Sequence, residues 1–361
     1  MRNNGCVSVF IASLFLFIFT GSGLLEAQGF AGLGNDAEGF SNVVPGQKIV
    51  FPRDHGPHPD FRIEWWYLTA NLKDEEGNSY GVQWTLFRQA LTPDPQKTGW
   101  ANQQLWMGHA ALTSATEHHS QELFARGGIA QADVIAEPFH AWINNWNFRA
   151  IKEGTTKKSD IFLLNATGEN FSYELELKSD ARLVKHGNAG YSEKSDQGHA
   201  SYYYSAPFLK AVGHVTLGGQ TINVSGEAWM DREWSSQPLA ADQSGWDWFS
   251  LHLKTGEKVM VFRLRGQDGD FYYSGSWINA DGALEPLGPE QIEFLPTEIS
   301  ELADRNIPVE WSLTVRHKNF KVQTVPLNSN SWMNTRFPYW EGPVYFTGTH
   351  SGVGYLEMTG Y

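Results

Sequence analysis

The sequence predicts an all-β protein made of two antiparallel barrels or sandwiches. Short runs rich in β-branched and aromatic residues recur from Ile49 to the C-terminal end, parted by Gly, Asn and Asp turns. No convincing long amphipathic helix interrupts them, and only residues 296–305 read as a short one. An aromatic strand at 64–72 also returns at 246–253: aligned without gaps, Trp65 falls on Trp246, Tyr67 on Trp248, Thr69 on Ser250 and Asn71 on His252. Both copies lead through a Gly-containing turn into an apolar strand that ends in Arg, at 80–88 and 258–265. One β-unit present twice implies two structural units.

Taken in order, the chain begins with Arg2, the apolar run 7–19 and the small-residue stretch 21–27, the layout of a secretory signal peptide cleaved after Ala27. The run is shorter than the ~20 apolar residues of a spanning helix. The only cysteine, Cys6, leaves with this segment, so no disulfide or thiol chemistry is expected. Residues 28–44 read as a flexible leader, 45–237 as the first β-domain and 238–361 as the second, with the join at Gln237-Pro238.

Strands are expected at 64–72, 80–89, 105–113, 142–151, 161–166, 172–177, 211–217 and 220–228. Further strands are expected at 247–253, 258–265, 272–278, 310–316, 344–349 and 352–358. Gly218-Gly219, Thr255-Gly256, Asp268-Gly269 and Asp281-Gly282 stand where hairpins need turns. Residues 154–159 and 187–198 read as exposed loops.

A formal net charge of −13 argues against nucleic acid or an anionic membrane surface as partner. The aromatic load of 15 Trp, 13 Tyr and 22 Phe supplies core area and also suits an apolar ligand cavity. No Gly-x-Ser-x-Gly elbow and no phosphate-cradling loop appear, and nothing calls for a cofactor.

Two stretches concentrate reactive groups. In 226–237, strand alternation points Asp231 and Glu233 one way, and Met230, Arg232 and Trp234 the other. Two carboxylates about 6–7 Å apart among Trp side chains raise one another's pKa and leave one protonated, a candidate general acid. The alternative is an ion pair held by Arg and indole groups that locks two domains together. The loop 54–60 offers His55-x-x-His58 with Asp54, Asp60 and Glu64 near, but Pro57 and Pro59 exclude a helical His pair. It reads as a brace at the entry of the first strand, with no metal. His118-His119 reads as a solvated turn. His109, Tyr203 within Tyr202-Tyr203-Tyr204, and Glu341 are polar residues set in aromatic strands, the make-up of a small-molecule site.

The segments 54–72, 108–113, 201–205 and 226–235, with the ending 339–342 and 354–361, resemble the AttH-like family. That family contains the carotenoid hydratases and is described as two lipocalin-like β-barrels in tandem. The resemblance implies two tandem lipocalin-like antiparallel β-barrels. Its hydratases protonate an isoprenoid double bond with an aspartic acid and add water to the cation. The implied machinery is the region of Arg232 and Trp234 with an acid on the strand after the second aromatic repeat. Arg232 stands here where that branch has His, and 258–265 carries no acid. Other members are called secreted hydrolases or accessory proteins of export systems.

The expectation is thus a periplasmic or secreted protein, not inserted in a membrane after cleavage. Trp65, Tyr67, His109, Tyr203, Trp234, Trp246 and Trp248 would bind an apolar, lipid- or isoprenoid-like ligand, with no cofactor, beside an export-system component. The alternative is an acid–base enzyme, a hydratase or hydrolase, with Asp231 as donor and Glu233, Arg232 and Glu341 setting charge. A purely structural role is the third reading.

Overall fold

The computed structural model describes residue 33 and residues 37–94, 97–152, 160–179 and 182–361. The expected signal segment 1–27, most of 28–36 and the expected loop 154–159 lie outside the described residues. The first sheet opens as a meander of β1 (Ile63–Lys73), β2 (Ser79–Ala90), β3 (Gln104–Ser114) and β4 (His118–Arg126). It continues with β5 (Ala132–Ala136), β6 (Phe139–Ile143), β7 (Trp146–Lys152), β8 (Ile161–Thr167) and β9 (Phe171–Lys178). Two short strands, β10 (Val184–Lys185) and β11 (Tyr191–Glu193), precede the long hairpin of β12 (Ala200–Leu217) and β13 (Gln220–Ser235).

The second sheet begins with its own meander of β14 (Gln243–Leu253), β15 (Lys258–Gly266), β16 (Phe271–Ile278) and β17 (Leu284–Leu287). After it come β18 (Ile292–Leu302), β19 (Arg305–Val315), β20 (Phe320–Pro326) and β21 (Trp332–Met333). The closing hairpin is β22 (Tyr339–Gly348) with β23 (Gly352–Thr359).

In both sheets the last strand returns to the first: β13 pairs with β1, and β23 with β14. The orders β4-β3-β2-β1-β13-β12 and β17-β16-β15-β14-β23-β22 are the same plan twice. The aromatic repeat in the sequence therefore marks the equivalent central strand of each sheet. The first sheet is a nearly closed barrel and the second a half-barrel, a tandem lipocalin-like arrangement.

Alternation along each strand divides its residues between two environments. Trp66, Leu68 and Ala70 of β1 fill the first barrel with Trp84, Trp106 and Trp146. Phe249 and Leu251 of β14 fill the second with Trp311 and Trp340. The remaining faces meet each other. Tyr67 and Trp248 touch edge-to-face with ring centroids 5.4 Å apart, in a third cluster with Trp229, Phe262 and Tyr355. Removing each such large side chain from water stabilises by roughly 1.5–3 kcal/mol. Gly81 permits the close approach, since a Cβ there would stand 2.5 Å from Pro343 Cγ and from the Tyr355 hydroxyl.

Several expectations give way. Residues 296–305 are strand and hairpin, not helix: Pro296 sits beside a register shift in β18, where a sheet can take a proline, and Ala303 and Asp304 form the turn at positive φ. The strand expected at 142–151 is split into β6 and β7 by a turn at Asn144 (φ 53°), a residue type that tolerates this region. Residues 202–204 and 211–217 belong to one strand, β12, whose Pro207 is absorbed by a shift between Ala206 and Leu209. His118-His119 begins β4 instead of making a solvated turn, and His118 Nδ1 lies 2.9 Å from Thr113 Oγ1. The loop 187–198 carries β11 and buries Lys194. Ser41 and Val44 of the expected leader are hydrogen-bonded to Asp60, Ser236 and Tyr202 of the first barrel. No helix among the described residues is long and apolar enough to cross a membrane.

Candidate active site between the barrels

Asp231 and Glu233 project from one face of β13 into a cavity of about 110 Å³ between the barrels. Trp65, Tyr67 and Phe87 line it from the first barrel, and Trp246, Trp248 and Phe262 from the second. Asp231 Oδ1 accepts hydrogen bonds from Trp229 Nε1 (2.6 Å) and the Ser205 hydroxyl, and Oδ2 accepts one from the Tyr203 hydroxyl (2.9 Å). No cation pairs with it among the described residues. Burial outweighs the three donors and pushes the carboxyl up to about 7. Glu233 differs: Lys194 Nζ lies 2.9 Å away, and the Ser201 hydroxyl donates to it.

The groups around Asp231 are themselves held. Trp248 Nε1 donates to the Tyr203 hydroxyl at 3.2 Å. His186 reaches Ser205 Oγ (2.6 Å) through Nε2 and Ser276 Oγ (2.8 Å) through Nδ1. Burial pulls His186 down to about 3, so its ring is neutral and bridges the two hydroxyls. Residues from both barrels thus fix one carboxyl.

A second acid completes the cavity wall. Glu357 of β23 lies beside Trp248 in the strand register, lines the same cavity and accepts from Trp246 Nε1 at 2.7 Å. Glu341 stands opposite it on β22. Burial, then neighbouring carboxylates, raise both carboxyls above the usual range. The Tyr67 and Tyr339 hydroxyls lie beside Glu341, whose two carboxyl oxygens are in no well-formed hydrogen bond. A larger cavity of about 400 Å³ adjoins, sharing Ile63, Thr85, Phe87, Trp246 and Glu357 with the first. His109, Met107, Phe337 and Tyr339 complete its wall, with Arg336 at its exposed rim.

Of the residues singled out in the sequence, Asp231, Glu233, Trp65, Tyr67, Tyr203, Trp246 and Trp248 meet at the first cavity, and His109 at the second. Glu341 lies behind Tyr67. Arg232 and Trp234 do not belong to this site. They leave the opposite face of β13, where Arg232 pairs with Glu64, donates to the Gly56 carbonyl (2.7 Å) and lies 3.9 Å over the Trp66 ring. Trp234 stacks on His58 with centroids 4.0 Å apart. Arg88 also pairs with Glu64. This buried ion network of Glu64, Arg88 and Arg232 lies within the first barrel and includes neither Asp231 nor Glu233, so it is not the expected lock between domains. His58 belongs to it through Glu64 and Asp54, while His55 Nδ1 bonds the Tyr204 hydroxyl at 2.7 Å. No group of three metal-ligating side chains occurs among the described residues.

Sequence reasoning missed Glu357, Lys194, Ser205 and His186. Alternation along 354–359 offered a signal for Glu357, which shares a face with Tyr355 and Thr359.

A family profile described as AttH-like matches residues 42–361. Comparison with curated proteins finds no match. Among solved structures, a putative AttH of Nitrosomonas europaea aligns with a TM-score of 0.78 and 32% identity, over 89% of this chain and 100% of that one. Kievitone hydratase from Nectria haematococca aligns with a TM-score of 0.66 and 16% identity, over 89% and 95% of the two chains. CghA, solved with a bound compound, aligns at 0.50 and 13%, over 92% and 97%. At such identities the last two likenesses concern the fold alone.

Proposed function

The chain belongs to the AttH-like family, and we propose that it binds an apolar small molecule between its barrels and acts on it by acid–base catalysis, with Asp231 as proton donor. Asp231 is the observation that carries this reading. It lines an aromatic cavity, has three hydrogen-bond donors and, among the described residues, no cation, and sits near 7, where a carboxyl both gives and takes protons at neutral pH. An ion pair would have kept it a carboxylate.

Addition of water across a carbon–carbon double bond fits these groups, and the fold shared with kievitone hydratase supports it. The Asp231 proton goes to one carbon, and positive charge develops on the next. The faces of Trp65, Trp246 and Trp248 favour that charge. Water then bonds to the cationic carbon, and its surplus proton goes to a carboxylate, Asp231 or Glu357. Glu357 on β23, the other neighbour of β14, fills the part that the resemblance gives to an acid on the strand of 258–265. Arg232 has no part in this scheme.

A carrier that performs no chemistry would use the same aromatic walls, and the buried Asp231 favours the enzyme. Secretion or a periplasmic location, and work beside an export system, extend the proposal from the sequence; fractionation of cells and co-purification test them. The decisive experiment starts with mass spectrometry of organic extracts of the natively purified protein, followed by incubation of the ligand found. Wild-type protein is expected to add or remove one water. Asp231→Asn is expected to lower turnover by roughly 10²–10⁴-fold with ligand retention unchanged. Equal turnover in the variant overturns the role of Asp231, and an unchanged ligand in both leaves the carrier.

A further inference from the structure

A line of polar side chains runs from the surface to the acid pair between the barrels. Glu122 on β4 has a side chain 18% exposed, and its Oε1 lies 3.1 Å from His109 Nε2. His109 Nδ1 lies 2.9 Å from the Tyr339 hydroxyl. Tyr339 shares a face of β22 with Glu341, and its hydroxyl lies beside that carboxyl. Glu341 faces Glu357, which lines both cavities. His109, Tyr339 and Glu341 are all buried.

We propose that Glu122, His109, Tyr339 and Glu341 form a proton path between solvent and Glu357 at the cavity wall. The path rests on the acid–base reading only for its purpose, which is to exchange protons between solvent and the acid pair of Glu341 and Glu357.

The hydrogen-bond directions are consistent from Glu122 to Tyr339, whose hydroxyl then lies beside the Glu341 carboxyl without a well-formed hydrogen bond to it. The Arg336 backbone N–H donates to both Glu122 oxygens at 3.1 and 3.2 Å, which holds Glu122 as an anion and acceptor. His109 therefore donates from Nε2, leaving Nδ1 to accept the Tyr339 proton. The Tyr339 oxygen keeps a lone pair for the Glu341 proton. One pass moves a proton from Glu341 to Tyr339, from Tyr339 to Nδ1, and from Nε2 to Glu122. Only O–H and N–H bonds are made or broken, and the ring passes from one neutral tautomer to the other. The reverse pass brings a proton in. Phe87 packs against the His109 ring at 5.3 Å and offers no competing polar group. The Tyr67 hydroxyl, beside Glu341 and in no well-formed hydrogen bond, leads towards the first cavity.

The same contacts could simply clamp the barrels, so the test must read proton movement. Infrared spectroscopy after transfer to heavy water follows deuteration of the protonated carboxyl, whose band is assigned by its loss in Glu341→Gln. Wild-type protein is expected to exchange fast. Glu122→Gln and His109→Gln are expected to slow exchange on the order of tenfold or more, with imidazole in solution restoring the rate in Glu122→Gln. Glu122 is partly exposed, so its variant keeps the test available if the His109 variant does not fold. Asp231→Asn is expected to exchange like wild type, so failure of the path and failure of the catalytic reading are read separately. Exchange as fast in Glu122→Gln as in wild type overturns the path, as does the absence of any band lost with Glu341.

Discussion

Glu341 and Glu357 stand directly opposite one another on β22 and β23, both turned into the seam between the barrels. Like charges at such a position destabilise a sheet, so the pair persists by keeping a proton. The buried acids of this protein thus fall into two groups. Glu64 and Asp247 have arginines, and Glu233 has Lys194. Asp231 and Glu357 line the cavities with hydroxyl or indole donors, Glu341 lies behind them beside two tyrosine hydroxyls, and none of the three has a cation partner among the described residues.

Glu341→Gln tests that division. The native carboxyl is neutral, so an amide of the same shape should change stability by about 1 kcal/mol or less near pH 5. A carboxyl raised in the folded state contributes stability below its unfolded pKa, and this is lost as pH rises towards the folded value. The variant should therefore gain on wild type as pH increases. Urea unfolding at pH 5 and pH 8 measures this, and an equal, large loss at both would show an ionised, paired Glu341.

Glu64→Gln should behave in the opposite way. Arg88 and Arg232 hold the Glu64 carboxyl far below the usual range, against the cost of its burial. Neutralising it leaves two buried guanidinium groups short of a partner, a loss of about 3–5 kcal/mol at pH 7. The depressed pKa means that this stability is present above the unfolded value and fades as pH falls. The difference between wild type and variant should narrow below about pH 4. Thermal melting across that range checks it.

Gly81→Ala probes the seam without touching an acid. Its new Cβ would meet Pro343 and Tyr355 at 2.5 Å, on strands of the opposite barrel that cannot move alone. Overpacking of this kind costs about 1–3 kcal/mol. Because the seam also shapes the cavities, ligand affinity should fall with stability. Retained stability would mean that the barrels separate easily.

Strand alternation makes much of this legible. From the sequence alone it puts Asp231 and Glu233 on one face of a strand and Arg232 and Trp234 on the other. It cannot say which face is the cavity, because both are aromatic. Nor can it bring Glu357 to Trp248, since that neighbour is set by pairing between β14 and β23, more than a hundred residues apart. Lys194 is hidden for a further reason: it sits in the segment 187–198, which reads as an exposed loop, yet its side chain is buried between Glu233 and Tyr203 of the first barrel and Phe262 of the second. Residues 296–305 mislead locally, reading as a short helix where a register shift beside Pro296 lets the strand continue.

Asp231→Asn gives the sharpest physical test of the site, and it needs no substrate. In the folded protein burial holds the carboxyl at about 7, while in the unfolded chain it titrates near the ordinary value of 3.8. Between those values the native state binds more protons than the unfolded one, so wild-type stability falls as pH rises. Asparagine cannot ionise and lacks this slope. Other groups titrate in the same window, including His118 and His55, each lowered to about 4 by burial, and these raise stability with pH. They are common to both proteins and cancel in the difference. The variant should therefore gain on wild type between about pH 4 and pH 7, by about three pH units at roughly 1.4 kcal/mol each, on the order of 4 kcal/mol. Lost acceptor geometry towards Trp229, Ser205 and Tyr203 shifts the whole curve down without changing its slope. Chemical denaturation of both proteins at several pH values measures the difference directly. A difference that stays flat would mean that Asp231 is an ordinary carboxylate, and the proton donor would have to be sought at Glu357.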